Sequence, residues 1–168
     1  MTVQIYKASY RSPIGLIELT ATEAALTSLN FVEAVTGVAA LTPPLLRDAI
    51  RQLDEYFNGS RRNFDLPLAP TGTDFQQQVW QQLLTIPFGR TTSYIEIARA
   101  IGNEKSVRAV GAANGQNPIS IIIPCHRVIG SDGQLVGYGG GLWRKKWLLE
   151  HEGALPVSPQ MDLFGSSS

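Results

Sequence analysis

A chain of 168 residues with 14 basic and 14 acidic side chains has no net charge, so it lacks the overall basic footprint of many nucleic-acid binders. No apolar run approaches the roughly 18 residues that span a bilayer, and the N-terminus "MTVQIYKASYRSPIGLIEL" has none of the zones of a secretory signal. One cysteine excludes an internal disulfide and makes a reducing, cytoplasmic location the default, while one cysteine and two histidines are too few soft ligands for a tetrahedral zinc site, so no metal is expected.

In chain order, the first third has the pattern of strands. "VQIYKASY", "IGLIELTAT" after the Ser12-Pro13 breaker, and "ALTSLNFVE" are short runs rich in β-branched and aromatic residues, and they predict an antiparallel meander. Past Thr42-Pro43-Pro44, the residues Leu46, Ile50, Leu53 and Phe57 recur at helical spacing and Gly59 marks the stop, so one helix is expected to pack on the sheet. "SRRNFDLPLAPTGT" carries two prolines and no periodicity, which places a linker there and a domain boundary near Pro70.

The second half reads as helices. Phe75, Val79 and Leu83 share one face of a helix capped by Thr73 or Asp74 and ended by Pro87. "TTSYIEIARAIG" offers Thr92 or Ser93 as cap, Ile95, Ile97, Ala98 and Ile101 as the buried side, and Gly102 as the stop. A further helix capped by Ser106 follows at once, and two short helices across a glycine turn are the sequence form of a helix-turn-helix. Its second helix shows Ala109, Gly111, Ala112, Ala113 and Gly115, small enough to let the backbone lie against a grooved surface, with Arg108 as the long cation; tight helix packing explains such residues equally well. From Arg90 to Lys146 eight basic residues stand against three acidic ones. That excess can draw a polyanion to one face, although a solvated face has the same signature. The fold class is therefore α+β: an N-terminal antiparallel sheet with a helix over residues 1–69, and a mostly helical unit over 70–168.

"NPISIIIPCHRVIG" holds the single cysteine, Cys125, beside His126. The apolar run ahead of it predicts a buried strand or extended segment, in which a thiol is inert. Against that, Pro124 halts a regular ladder and His126-Arg127 are unusual residues for a core. An adjacent imidazole, oriented by a carboxylate, is a recurrent means of activating a thiol, and Glu150 or Glu152 can supply the carboxylate. Local chemistry does not choose between these two.

"IIIPCHRVIG" preceded by "NP", then "VGYGGG" and "WLLEHEG", with "VWQQLLTIPFGRTTSYIEIARAIG" upstream, resemble the O6-alkylguanine-DNA alkyltransferases, also called methylated-DNA–protein-cysteine methyltransferases. The resemblance covers Phe75 to Gly153. It implies repair of duplex DNA by direct, irreversible, single-turnover transfer of an alkyl group from O6-alkylguanine, with O4-alkylthymine a further candidate, by a monomer that needs no cofactor. It also implies residue roles. Cys125 is the alkyl acceptor, His126 the base acting through water, and Glu152 the carboxylate that orients it. Asn117 is a hinge, Tyr94 a phenol that meets the leaving guanine, and Arg108 the side chain that fills the gap left by the extruded nucleotide, on a DNA-facing helix with Ala109, Ala112, Ala113 and Gly115. Tyr138 lines the alkyl pocket and Val128 offers its carbonyl to guanine. Gly139 stands where some relatives have serine, which bears on substrate preference. On this reading the thiol titrates below the ordinary cysteine range. Two rivals are a non-catalytic helix-turn-helix module with an inert cysteine, and a thiol hydrolase using Cys125 and His126.

Overall fold

The computed structural model describes residues 3–35 and 42–155. Leu163 and Phe164 of the C-terminal tail lie outside them. Three strands, β1 (Tyr6–Ser12), β2 (Gly15–Ala21) and β3 (Leu26–Phe31), form the expected antiparallel meander in the order β1-β2-β3. Alternation along β2 sends Ile17, Leu19 and Ala21 to the buried face, where β3 adds Leu26 and Leu29. Tyr10 pairs with Ile17 and Leu19 with Leu29, and a bulge at Thr20/Ala21 shifts the register toward the end of the pair.

Helix α1 (Pro44–Phe57) begins on proline, whose missing N–H costs nothing in the first turn, and Gly59 follows its end with a φ of 88°. Its buried stripe is Leu46, Ala49, Gln52, Leu53, Tyr56 and Phe57. Ile50 is only half-buried, so the face is rotated from the expected one toward Tyr56. The stretch read as a linker is tied to the sheet: Leu26 N donates to Pro67 O at 2.9 Å and Ala69 N to Leu26 O at 2.8 Å.

Thr73 starts α2 (Asp74–Leu83) with a reciprocal capping box to Gln76. The pair α3 (Tyr94–Ala100) and α4 (Val107–Gly115) forms the helix-turn-helix, with Ser93 capping α3 and Gly102 turning the chain at a φ of 82°. Ser106 does not cap α4 as expected; its hydroxyl donates to Asn103 O at 2.6 Å, because a 3-10 turn over Glu104–Ser106 comes between the helices. Trp80 of α2 donates its indole N–H to Ala113 O at 2.9 Å, which locks α4 to the core. Two short parallel strands, β4 (Thr92–Ser93) and β5 (Val128–Ile129), precede the last helix, α5 (Leu142–His151).

The apolar run Ile119–Ile123 is buried, as its composition demands, yet it is not a strand. Only Ile119 bridges Leu29 of β3; Ser120 to Ile123 coil into successive turns, and Ile121 sits at a φ of 72°. A β-branched residue in that region carries strain of roughly 1–3 kcal/mol, which surrounding structure must hold. The Asn117 amide does so from both sides: Oδ1 accepts from Ile119 N at 3.0 Å, and Nδ2 donates to Ile123 O at 2.7 Å. Side chains from sheet, α1 and the helical half merge into one hydrophobic core. Among the described residues no helix is long and apolar enough to cross a membrane.

Candidate active site

The turns after Asn117 deliver Cys125 to the start of a 3-10 turn, Cys125–Arg127, with the residue 5% exposed. It borders a cavity of about 130 Å³ whose walls include Asn117, Ser120, Tyr138, Gly139 and Gly140, with Asn30 and Phe31 arriving from β3. Phe31 is held there by the Arg144 guanidinium, 4.5 Å from its ring centroid. Asn114 of α4 reaches the Cys125 carbonyl at 3.4 Å, so the end of the helix-turn-helix touches the cysteine's own backbone.

Behind the thiol lies a buried polar cluster. His126 is fully buried; its Nε2 is 2.9 Å from Glu152 Oε2, and its Nδ1 has no hydrogen-bond partner among the described residues. Because ionised Glu152 only accepts, Nε2 carries the proton and Nδ1 holds a free lone pair. Glu152 caps the C-terminal end of α5, where the helix dipole disfavours a carboxylate. Arg127 compensates by donating from Nε to Oε1 at 2.8 Å and from Nη2 to Oε2 at 3.0 Å, while its Nη1 bonds Ile86 O at 2.7 Å. A fourth donor comes from the other half of the chain, the Tyr56 phenol, at 2.6 Å from Oε2. Glu150, the other candidate carboxylate, pairs with Lys146 instead.

Burial pushes the Glu152 carboxyl up, but hydrogen bonds and charge from His126 and Arg127 outweigh it and hold the group well below the usual carboxylate range. Burial pushes His126 down, only partly opposed by Glu152, so the imidazole is neutral at neutral pH. Burial raises the Cys125 thiol, although Asn117 and Lys145 favour its ionised form. That corrects the expectation of a depressed thiol: a relay whose histidine is neutral does not hold a standing thiolate, and the proton stays on sulfur until a base takes it. Lys145 is itself buried, donating from Nζ to Val136 O at 2.7 Å, and burial lowers it to about 8.

The signs of these shifts predict acid sensitivity. With His126 lowered, an unfolded chain takes up a proton below its ordinary value near 6.5 that the folded chain refuses; with Glu152 lowered, the same holds below about 4.3. Both contributions are fully present above the unfolded values and are lost as pH falls toward the folded ones. Thermal unfolding scanned from pH 8 to 4 should show a falling midpoint that steepens near the lower limit, and a flat curve would contradict the buried cluster.

The other expected residues divide. Arg108, Ala109, Ala112 and Gly115 are exposed along α4, whereas Ala113 is buried with its carbonyl taken by Trp80, so its side chain faces the core and not a ligand. Tyr94 is half-buried and its phenol donates to Val136 O at 3.1 Å, on the loop leading to Tyr138. Val128 is fully buried, paired with Thr92, and is not part of the cavity wall. The basic excess is also smaller at the surface than the sequence suggests, since Arg127 and Lys145 are internal and Arg144 is spent on Ile14 O and Gly140 O. Tyr56, Arg127, Lys145 and Asn114 are parts of the site that sequence reasoning missed.

Residues 74–154 match the DNA binding domain of 6-O-methylguanine DNA methyltransferase, and residues 5–70 match that protein's ribonuclease-like domain. Among named relatives, the methylated-DNA–protein-cysteine methyltransferase of Methanosarcina acetivorans is 47% identical over 155 residues, covering 89% of this chain and 99% of that one. The protein of the same name from Mycobacterium tuberculosis is 49% identical over 152 residues, 88% of this chain and 92% of that one. The crystal structure of the Mycobacterium tuberculosis O6-methylguanine methyltransferase superposes with a TM-score of 0.81 at 45% identity, covering 94% of this chain and 99% of that one. A structure of Mycobacterium tuberculosis OGT in complex with DNA superposes with a TM-score of 0.80 at 48% identity, covering 89% of this chain and 92% of that one.

Proposed function

The chain belongs to the 6-O-methylguanine DNA methyltransferase family, and from that premise we propose how its own residues repair DNA: O6-alkylguanine in a duplex gives up its alkyl group to Cys125, once per molecule. The observation that carries the assignment is a neutral histidine, held by Glu152 and with Nδ1 unpartnered among the described residues, next in the chain to the only thiol, which itself borders a cavity of about 130 Å³.

An alkyl carbon on guanine O6 is out of reach inside a stacked duplex, so the nucleotide must leave the stack at a cost of a few kcal/mol. The exposed small residues Ala109, Ala112 and Gly115 let α4 lie close to the groove, and Arg108 takes the space the nucleotide leaves. In the cavity the Cys125 proton passes through water to His126 Nδ1, the sulfur lone pair forms a bond to the alkyl carbon, and the carbon–O6 bond breaks. Its electrons stay on the guanine, whose developing charge a hydrogen bond from Tyr94 stabilises until the proton held on His126 returns through water to neutralise it. The thioether has no ready leaving group, so the protein is consumed. Lys145 places a cation near the ionising sulfur. The substrate specificity, action as a monomer and a cytoplasmic setting are parts of this same reading.

Arg108→Ala separates binding from chemistry. It should slow repair of methylated duplex by about tenfold or more, since the extruded state loses its support, while reaction with free O6-benzylguanine stays within about twofold. Rates measured on the two substrates decide; equal losses would give Arg108 to the fold or the reaction step. Failure of benzylguanine to label wild-type Cys125 would instead favour the module with an inert cysteine.

A further inference from the structure

The relay carboxylate is completed from outside the DNA-binding half. Tyr56 sits near the end of α1, fully buried, with its Oη 2.6 Å from Glu152 Oε2, the same oxygen that His126 Nε2 approaches at 2.9 Å. The phenol is fixed by its neighbours: His151 donates to the Tyr56 carbonyl at 2.7 Å and meets its ring edge-on at 5.0 Å, and Phe57, Phe64 and Phe88 pack around it. Burial and the Glu152 charge raise Tyr56 well above the ordinary phenol value, so it remains a donor at any pH at which the protein works.

We propose that Tyr56 is a positioning residue for alkyl transfer: by donating to Glu152 Oε2 it fixes the carboxylate that holds His126 Nε2 and takes a share of its charge, which tunes Nδ1 as the acceptor of the thiol proton. The proposal rests on the reading of His126 as the base for Cys125. In a dry site an oxygen that accepts from Tyr56, Arg127 and His126 divides its charge among three donors, and each withdrawn donor leaves more for the others. The groups facing this point are Arg127 from the 3-10 turn, Lys145 and His151 from α5, and Tyr138 from the glycine-rich loop. Among the described residues, Tyr56 is the one hydrogen-bonding to Glu152 that comes from the sheet-and-helix half. That half is then a working part of the site as well as a support.

Tyr56→Phe keeps the ring and removes the donor. The carboxylate becomes more basic, His126 binds its proton more tightly, and the acid limb of the alkylation profile should move upward by about one pH unit, a tenfold gain in proton affinity. Benzylguanine labelling from pH 4.5 to 9 reads that limb, and ¹⁵N chemical shifts of the His126 ring read its titration in the absence of any alkyl transfer. Replacing Tyr56 by 3-fluorotyrosine, a stronger donor of nearly the same shape, should move both in the opposite direction, and it guards against a phenylalanine variant that fails to fold. Opposite shifts from the two variants support the proposal. An even loss of rate at all pH values, with the His126 titration unmoved, overturns it and leaves Tyr56 a packing residue. If the titration shifts while wild type does not label Cys125, the base assignment fails and the Tyr56 contact stands.

Discussion

Cys125→Ser should bind methylated duplex with nearly the affinity of the native protein and accept no detectable alkyl group. Serine keeps the size and hydrogen bonding of the thiol, and the exposed face of α4 that meets DNA is not touched by the change. The hydroxyl, however, is far less acidic than a thiol and a poorer nucleophile, and a neutral His126 is too weak a base to ionise it. Gel shifts with labelled duplex measure the first half of this expectation, and transfer of radiolabelled methyl to protein measures the second. Residual transfer at a tenth of the native rate would place the acceptor elsewhere.

Glu152→Gln is expected to have an effect nearly as large, and a double one. Removing the carboxylate leaves the Arg127 guanidinium, 7% exposed, without its partner, and breaking a buried pair costs about 3–5 kcal/mol of a total near 5–15. The same change takes away the charge that makes imidazolium accessible to His126. Proton transfer from sulfur weakens, and alkylation near pH 7 should fall by about a hundredfold. The two effects separate by pH. In the native protein burial lowers His126 from its ordinary value, so a neutral imidazole remains available on mild acidification and the rate persists. In the variant only hydroxide can ionise the thiol, whose proton burial holds more tightly than usual, so the rate should climb with pH and approach the native value in strong alkali. Benzylguanine labelling of the folded variant at low temperature tests this; coincident profiles at neutral pH would make Glu152 a structural carboxylate.

The legible parts of the molecule were those set by local pattern. The strands of the meander, the helix stop at Gly59 and the turn at Gly102 follow from residue periodicity and glycine placement, and all are present. The roles of Cys125, His126 and Glu152 came from a resemblance; the structure pairs His126 with Glu152 in the interior, and Cys125 is the preceding, buried residue. What escaped is what only tertiary contact decides. Tyr56 lies 96 positions from Glu152, and the helical spacing of Leu46, Ile50, Leu53 and Phe57 gives no sign of it. Lys145 stands in a run of three cations of which it alone is fully withdrawn from solvent, and nothing in Arg144-Lys145-Lys146 distinguishes it. The isoleucine run was read as extended because its composition favours strands, whereas the Asn117 amide binds it on both sides into turns. The expectation of a lowered thiol failed for a related reason: adjacency to histidine is visible in the chain, but the depth to which His126 and Cys125 are buried is not.

Intact-protein mass spectrometry of the native chain, after incubation with excess duplex carrying O6-methylguanine, bears most directly on Cys125 as a consumed acceptor. The spectrum should show a gain of one CH₂ unit per chain, located by peptide mapping on the segment that contains Cys125, with no further gain on longer incubation or with more substrate. An unmodified mass in the presence of demethylated DNA, or lesions removed well beyond the amount of protein, would show that the alkyl group does not end on Cys125.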